Sequence, residues 1–545
     1  MKKLIAMLVC CGMTASMLIG CGNTAGTAKE TEAKQTEATE NAEAESTLQE
    51  VAETSEKTYD EKISFSMTNF CSINKTLEES MYVDDPYYQY IMDKFNVEVD
   101  WWVCDSSAVK EKNRLWINGN TMPDALCWTD FNVTEYYAFV NQGLLKPLPE
   151  DWETRWPNLA RMVELTNLKD LIEVDGRVYI IPHAVYGNFV NLKQGMSHTN
   201  LFIRKDLLDD IGMEELGAEV VGKASLSQLR EYLEKVAAAG LVENPTLGAY
   251  STNVNRMFRL AYGINNNDFF EDEDGKMVWG PTVDGYVEMI QEIQDWYHSG
   301  LIDVDYYLNE NSFYKSAFPA GTYAAAYMDG GAGNIQNYAK DFAETHSDYE
   351  LGKYDFIQSL CITDEEGTPY ARGNYNYWYA HVFSPNTDDA TMERILDMMD
   401  YFSIKNVQIE HALGFEGENW EYDADGNVVP LVDDESLFPD DAGMFNTWGF
   451  CNDDFALSGY EASYDVEAVE ICRTGYEVKS SGKVLMPSDR YESLSSAAKE
   501  NYSVDIDAKI TEIVVSGEDV ETAWNDFIET NRNLWEPVLN ELNAQ

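Results

Sequence analysis

From Lys62 onward, short apolar segments of strand character alternate with helical ones, and no other feature limits the fold as much. Lys62 to Asn69 reads as a strand, Pro86 to Phe95 as a helix and Val97 to Val103 as a second strand. A helix over Val109 to Asn118 stops at Gly119, a suitable C-cap, and a strand, Ala125 to Trp128, precedes a helix over Thr134 to Asn141. Strands separated by helices of this length pair mainly in parallel, with helices on both faces of the sheet. The expected class is therefore α/β. About 480 residues follow Lys62, too many for one ordinary domain, and the whole chain's 13 Trp, 33 Tyr and 22 Phe are ample for a large core. Two lobes are expected.

The N-terminus reads differently. Lys2 and Lys3 precede an apolar run, Leu4 to Met17, that closes on Leu18-Ile19-Gly20-Cys21. This predicts a signal peptide over residues 1–20 with a lipobox, since so short an apolar run cannot span ~30 Å of hydrocarbon. An ordinary membrane anchor would start in the same way, but a cysteine directly after Gly20 points to diacylglyceryl attachment at the Cys21 thiol. The mature protein is then lipid-anchored to the cell membrane on its extracytoplasmic face. Residues 21–61 are rich in Thr, Ala, Glu, Ser and Gln, have no aromatic residue before Tyr59, and read as a disordered acidic tether.

The net charge of −58 excludes nucleic acid as a partner by default and disfavours adhesion to anionic lipid. Beyond the signal peptide and Cys21, six cysteines (Cys71, Cys104, Cys127, Cys361, Cys451 and Cys472) are scattered without metal-ligand spacing, and are expected to be buried free thiols. The acidic turns Asp272-Glu273-Asp274-Gly275 and Asp423-Ala424-Asp425-Gly426 lack the spacing of a calcium loop and read as hairpin turns, so no metal is expected.

An ordered set of segments carries a family resemblance. Pro123-Asp124 before a strand ending in Trp128 is followed by Gly143-Leu144-Leu145-Lys146-Pro147-Leu148, then Asp175-Gly176-Arg177-Val178-Tyr179-Ile180-Ile181-Pro182, then Phe202-Ile203-Arg204-Lys205-Asp206-Leu207-Leu208. Later come Trp296-Tyr297-His298-Ser299-Gly300-Leu301-Ile302-Asp303, Phe318 to Ala326, and Gly414-Phe415-Glu416-Gly417-Glu418 with Tyr422. Across residues 62–430 the chain resembles the extracellular solute-binding proteins of family 1. It departs near residue 225, where Ala224-Ser225-Leu226-Ser227 replaces the family's proline-threonine although Ser225 can still cap a helix, and the tail from about 431 matches nothing in the family.

The resemblance implies a periplasmic-binding-protein-like fold of type II, with two α/β lobes joined by crossing segments near Ile181 to Val190 and Tyr354 to Ile362. Lobe 1 would hold 62–185 and 365–412, and lobe 2 would hold 190–355 and 413–545. A ligand would bind between them as they close by hinge bending. It implies a monomeric, non-enzymatic receptor without a cofactor. Such a receptor captures a carbohydrate, an oligosaccharide given the chain length, and delivers it to the permease subunits of an ABC transporter.

Sugar recognition combines flat aromatic faces with planar polar groups, placed at strand ends where α/β clefts lie. Trp128 and Asp130 occupy the position where the family has a stacking tryptophan and a hydroxyl-binding aspartate. Tyr186 and Asn188 follow the first crossing, and Tyr327 and Asp329 end a strand before Gly330-Gly331. Trp378 belongs to the aromatic cluster Asn374 to Tyr379, in which alternation sets Trp378 and Ala380 on one face and Tyr377 and Tyr379 on the other. Asn69, with Phe70, ends the first strand, and of the adjacent Trp101 and Trp102 at most one reaches a ligand. The alternatives are a secreted carbohydrate-active hydrolase, for which 96 Asp and Glu supply carboxylates but no signature motif appears, and a peptide receptor of the same fold.

Overall fold

The protein's structure, a computed structural model, describes residues 57–68, 86–102, 108–127, 129, 133–164, 166, 168–183, 195–272, 274–347, 351–375, 377, 379–404, 407, 410, 414–423, 428–431, 465–494 and 496–544. The elements that frame the site run in chain order as β1 (Ile63–Thr68), α1 (Pro86–Phe95), β2 (Val97–Trp102), α2 (Val109–Asn118), β3 (Ala125–Leu126), α3 (Val133–Asn141) and β4 (Ile180–Pro182). There follow β5 (Gly195–Met196), β6 (Thr199–Arg204), β7 (Val221–Ala224), α4 (Leu226–Ala239), β8 (Asn244–Gly248), α5 (Ser251–Ala261), α6 (Tyr286–His298), β9 (Tyr323–Asp329), α7 (Ala332–Thr345) and β10 (Ile357–Ile362). The chain closes with β11 (Tyr370–Asn374), β12 (Ala380–Phe383), α8 (Asp389–Phe402), α9 (Val466–Ser480), β13 (Lys483–Leu485), α10 (Ile506–Ser516), α11 (Val520–Thr530) and α12 (Arg532–Ala544).

The first sheet has the order β2-β1-β3-β12-β4. β1 lies parallel to β2 and β3, while β12 is antiparallel to both β3 and β4, so four of the five strands point one way. Alternation explains the strand at its edge: Val97 and Trp101 of β2 are buried while Glu98 is exposed. Ile91 and Phe95 of α1 and Ile395 and Met399 of α8 pack into the same core as Phe65 and Met67 of β1.

The second sheet has the order β8-β9-β6-β10-β7. Again one strand is reversed, because β6 is antiparallel to β9 and β10 while β8 pairs parallel with β9 and β7 with β10. Its central strands are buried along nearly their whole length, as expected where helices cover both faces. Ser225 caps α4 through a capping box with Gln228. The tail that matched no family segment builds on this sheet: α9 packs against β10 and α7, and the Trp524 ring of α11 stacks on Tyr286 at 5.0 Å.

A third, three-stranded sheet has the order β13-β11-β5, in which β11 runs antiparallel to β5 and parallel to β13. The chain leaves the first sheet after β4 and enters the second through β5 and β6, then returns from β10 through β11 to β12. Within the return crossing expected near Tyr354 to Ile362, Ile357–Ile362 is β10, a central strand whose Leu360 faces Leu201. Phe415, expected with the second lobe, instead meets Tyr90 of α1 edge-on at 5.3 Å and packs against the first core.

Both acidic turns join hairpins: Phe269–Glu271 pairs with Met277–Trp279, and Trp420–Tyr422 with Val428–Pro430. In the first, Asp272 Oδ1 accepts from the amides of Asp274 and Lys276. Cys127, Cys361 and Cys472 are buried free thiols. Among the described residues no helix is long and apolar enough to cross a membrane.

Candidate functional site

The parallel strands of the first sheet end at Thr68, Leu126 and Pro182, and the reversed β12 starts at Ala380, so these ends lie together. Hydrogen bonds extend the edge beyond the strands. The Cys127 amide donates to Thr68 Oγ1 (2.9 Å), that of Thr129 to the Ala380 carbonyl (3.1 Å) and that of His183 to the Tyr379 carbonyl (2.8 Å). Tyr379 is buried and its ring stacks on His183 at 4.3 Å, which assigns it to the core. Trp101 is also a core residue, donating to the Tyr88 hydroxyl at 3.2 Å, whereas Trp102 lies half-buried against Trp116.

In the second sheet β8, β9, β10 and β7 end at Gly248, Asp329, Ile362 and Ala224, and Thr199 at the start of β6 stands opposite Asp329. Both crossings start and finish at these edges. Carboxyl ends of strands are where open α/β sheets bind ligands.

Asp329 is the best-defined group there. One carboxylate oxygen lies 3.4 Å from His198 Nε2, and the other pairs with Lys315 and accepts from Asn311 Nδ2 at 3.3 Å. Burial works against ionisation, but the hydrogen bond and charge of His198, joined by Lys315, hold the carboxyl well below the usual carboxylate range. Gly330 follows, its amide donating to the His198 carbonyl at 3.0 Å. A Cβ at Gly330 would stand 2.8 Å from that same oxygen, so the close approach requires glycine. α7 then begins after Gly331 with no side-chain cap on its first amides.

Tyr327, two residues earlier, is buried, and burial pushes its hydroxyl well above the usual tyrosine value although Arg256 and Arg372 pull it down. It lines a cavity of about 10 Å³ with Thr199, Asn200, Arg372 and Lys479, room for about one water. Lys479 donates to the carbonyls of Ser197 and Thr199, both at 2.9 Å, and burial pulls its ammonium below the ordinary lysine value. On α5, Asn253 Nδ2 donates to the Tyr327 carbonyl (3.0 Å) and its Oδ1 accepts from the Arg256 guanidinium (3.0 Å). The edge thus offers fixed donors and acceptors of both charges.

Of the residues read from sequence, Tyr327 and Asp329 meet at this edge; Asn69, Trp128, Asp130, Tyr186, Asn188 and Trp378 lie outside the described residues, as does Cys21. Arg256, Arg372, Lys479 and His198 went unread. Arg256 had a local signal, being a charge inside a run, Asn253 to Ala261, in which every other position is buried.

No family model and no curated protein matches the chain. Solved structures do. The alginate-binding protein AlgQ2 superposes with a TM-score of 0.63 at 15% identity, over 89% of this chain and 98% of that one. FusA of S. pneumoniae, an ABC-transporter substrate-binding protein in complex with kestose, gives 0.59 at 16% over 89% and 98%. An extracellular solute-binding protein from Bifidobacterium longum subsp. infantis gives 0.57 at 14% over 89% and 96%. The chain therefore has the fold of the ABC-transporter solute-binding proteins, and these neighbours are binding proteins.

Proposed function

We propose that the protein is an extracytoplasmic solute-binding receptor that captures an oligosaccharide and delivers it to an ABC importer without altering it. One observation carries the reading: two α/β sheets turn their carboxyl ends toward chain crossings, on a fold whose solved neighbours include an alginate-binding protein and a substrate-binding protein in complex with kestose. On this reading Trp128, Asp130, Tyr186, Asn188, Tyr327, Asp329, Trp378 and Asn69 contribute to the cleft. Two discontinuous lobes close on the sugar, and the lipid on Cys21 holds a monomeric receptor at the membrane.

A thermal-shift screen over plant and mucosal oligosaccharides tests it, because a ligand at ~100 times its Kd adds ~2.7 kcal/mol to the folded state. A labelled oligosaccharide should be recovered at its original length. Shortened product would make the protein a hydrolase, and a shift with peptides alone would make it a peptide receptor.

A further inference from the structure

The chain carries 96 acidic residues against 38 lysines and arginines, yet cations collect at the carboxyl end of the second sheet. Arg372 and Lys479 line one small cavity with Tyr327, and Arg256 reaches the same strand through Asn253, whose amide holds the Tyr327 carbonyl. The nearby carboxylate, Asp329, is already met by Lys315 and His198.

Arg256 stands apart from the others. Eight of the nine residues from Asn253 to Ala261 are buried and only Arg256 is half-exposed, so within this stretch Arg256 is the one residue at which α5 meets solvent. The second arginine of the helix, Arg259, is buried and paired with Asp507 at 2.7 Å and with the Tyr286 hydroxyl at 3.0 Å. Arg256 donates to the neutral Asn253 oxygen, and among the described residues no carboxylate lies within ion-pair distance of it. A guanidinium partly withdrawn from water gains most from a planar, charged acceptor, and its fork matches a carboxylate. With five N–H donors in all, it keeps capacity for such a group beyond the bond to Asn253.

We propose that the captured sugar bears a carboxylate, as a uronic or sialic acid residue does, and that Arg256 receives it. This rests on the carbohydrate reading above. Arg256 binds the acid group; the neighbouring cations offset the field of an otherwise acidic chain, and Asn253 fixes the direction of the guanidinium.

The test is isothermal titration of the full-length protein with oligogalacturonate, oligomannuronate and 3′-sialyllactose, each beside its neutral counterpart: the two carboxyl-reduced oligosaccharides and lactose. The two uronates and the sialoside distinguish the source of the carboxylate. At least one acid is expected to bind about tenfold or more tighter than its counterpart. Arg256→Gln, which keeps a donor for Asn253, should abolish most of that ratio, while Arg256→Lys retains part of it; if the glutamine variant does not fold, a lysine variant that keeps the whole ratio overturns the inference. Equal binding of acid and neutral partners, or a ratio that survives at Arg256→Gln, overturns the inference and leaves the carbohydrate reading standing. Failure of every sugar, acidic or neutral, overturns both.

Discussion

The Tyr375 hydroxyl donates to Asp489 Oδ1 at 2.6 Å, tying the return crossing to a short helix, Asp489–Ser493, of the C-terminal tail. That helix in turn packs against α3 and against Lys169–Ile172, both of which contribute residues to the first core. The tail therefore reaches from the second sheet, where α9 to α11 are seated, to the first core. Burial, joined by the Asp489 carboxylate, pushes the Tyr375 hydroxyl far above the usual tyrosine value, so the bond holds throughout the physiological pH range.

Tyr375→Phe removes this tie and nothing else of size. The bond is partly solvated and contributes about 1 kcal/mol. Amide exchange in residues 489–493 should then accelerate several-fold, while α10, with Ile510, Ile513 and Val514 fully buried, keeps its protection. Equal acceleration in both segments would show that the tyrosine stabilises the whole tail.

Gly330→Ala should cost about 1–3 kcal/mol, because the new methyl meets the His198 carbonyl at 2.8 Å and the Asn200 amide and Phe202 ring at 3.2 Å. Backbone must move to relieve it. Asp329 and the first turn of α7 shift with the backbone, so sugar affinity should fall along with the urea midpoint. A variant with unchanged midpoint would mean that the close approach is readily relaxed.

Some of this architecture is legible in the sequence because it is local. The 3.6-residue pattern and its stops define α1 and α2 at the bounds found, and Ser225 announces α4 by the chemistry of its hydroxyl. β10 is not legible in that way. Its Ile-Gln-Ser-Leu-Cys-Ile run is buried throughout, has no alternation to separate a central strand from a crossing, and finds its partner Leu201 far back in the chain. The tail is hidden for the same reason: α12 is held by Trp535 stacked at 4.8 Å on Trp279, a contact that exists only after folding. At the site, Asp329 is readable as a strand-end acid, but its partners His198 and Lys315 come from other segments.

Asp329→Asn tests the electrostatics of the edge. A carboxyl held below its unfolded value stabilises the fold fully above about pH 4 and ceases to do so as pH falls through the folded pKa. The asparagine variant should therefore be weaker at pH 7 by about 1 kcal/mol, allowing for partial exposure. The gap should narrow from about pH 4 downward. Urea unfolding at stepped pH gives the answer, and a gap as wide at pH 3 as at pH 7 would assign the loss to packing rather than to charge.

Trp128 is where the proposed sugar site is most exposed to refutation, since strand-end placement and family resemblance converge on it. Its sequence neighbours are fixed: Cys127 is buried with its amide on Thr68 Oγ1, and Thr129 is buried with both its amide and hydroxyl on the Ala380 carbonyl. A pyranose stacked on an indole excludes water from both faces, and removing that platform deletes a hot spot of ~2 kcal/mol or more. Trp128→Ala should thus weaken sugar binding at least about thirtyfold and leave the urea midpoint of the unliganded protein nearly unchanged. A tryptophan packed in the core would behave in the opposite way, losing ~3–5 kcal/mol of stability with little change in the affinity of the folded fraction. Isothermal titration run beside denaturant unfolding separates the two, and the second pattern would remove Trp128 from the site.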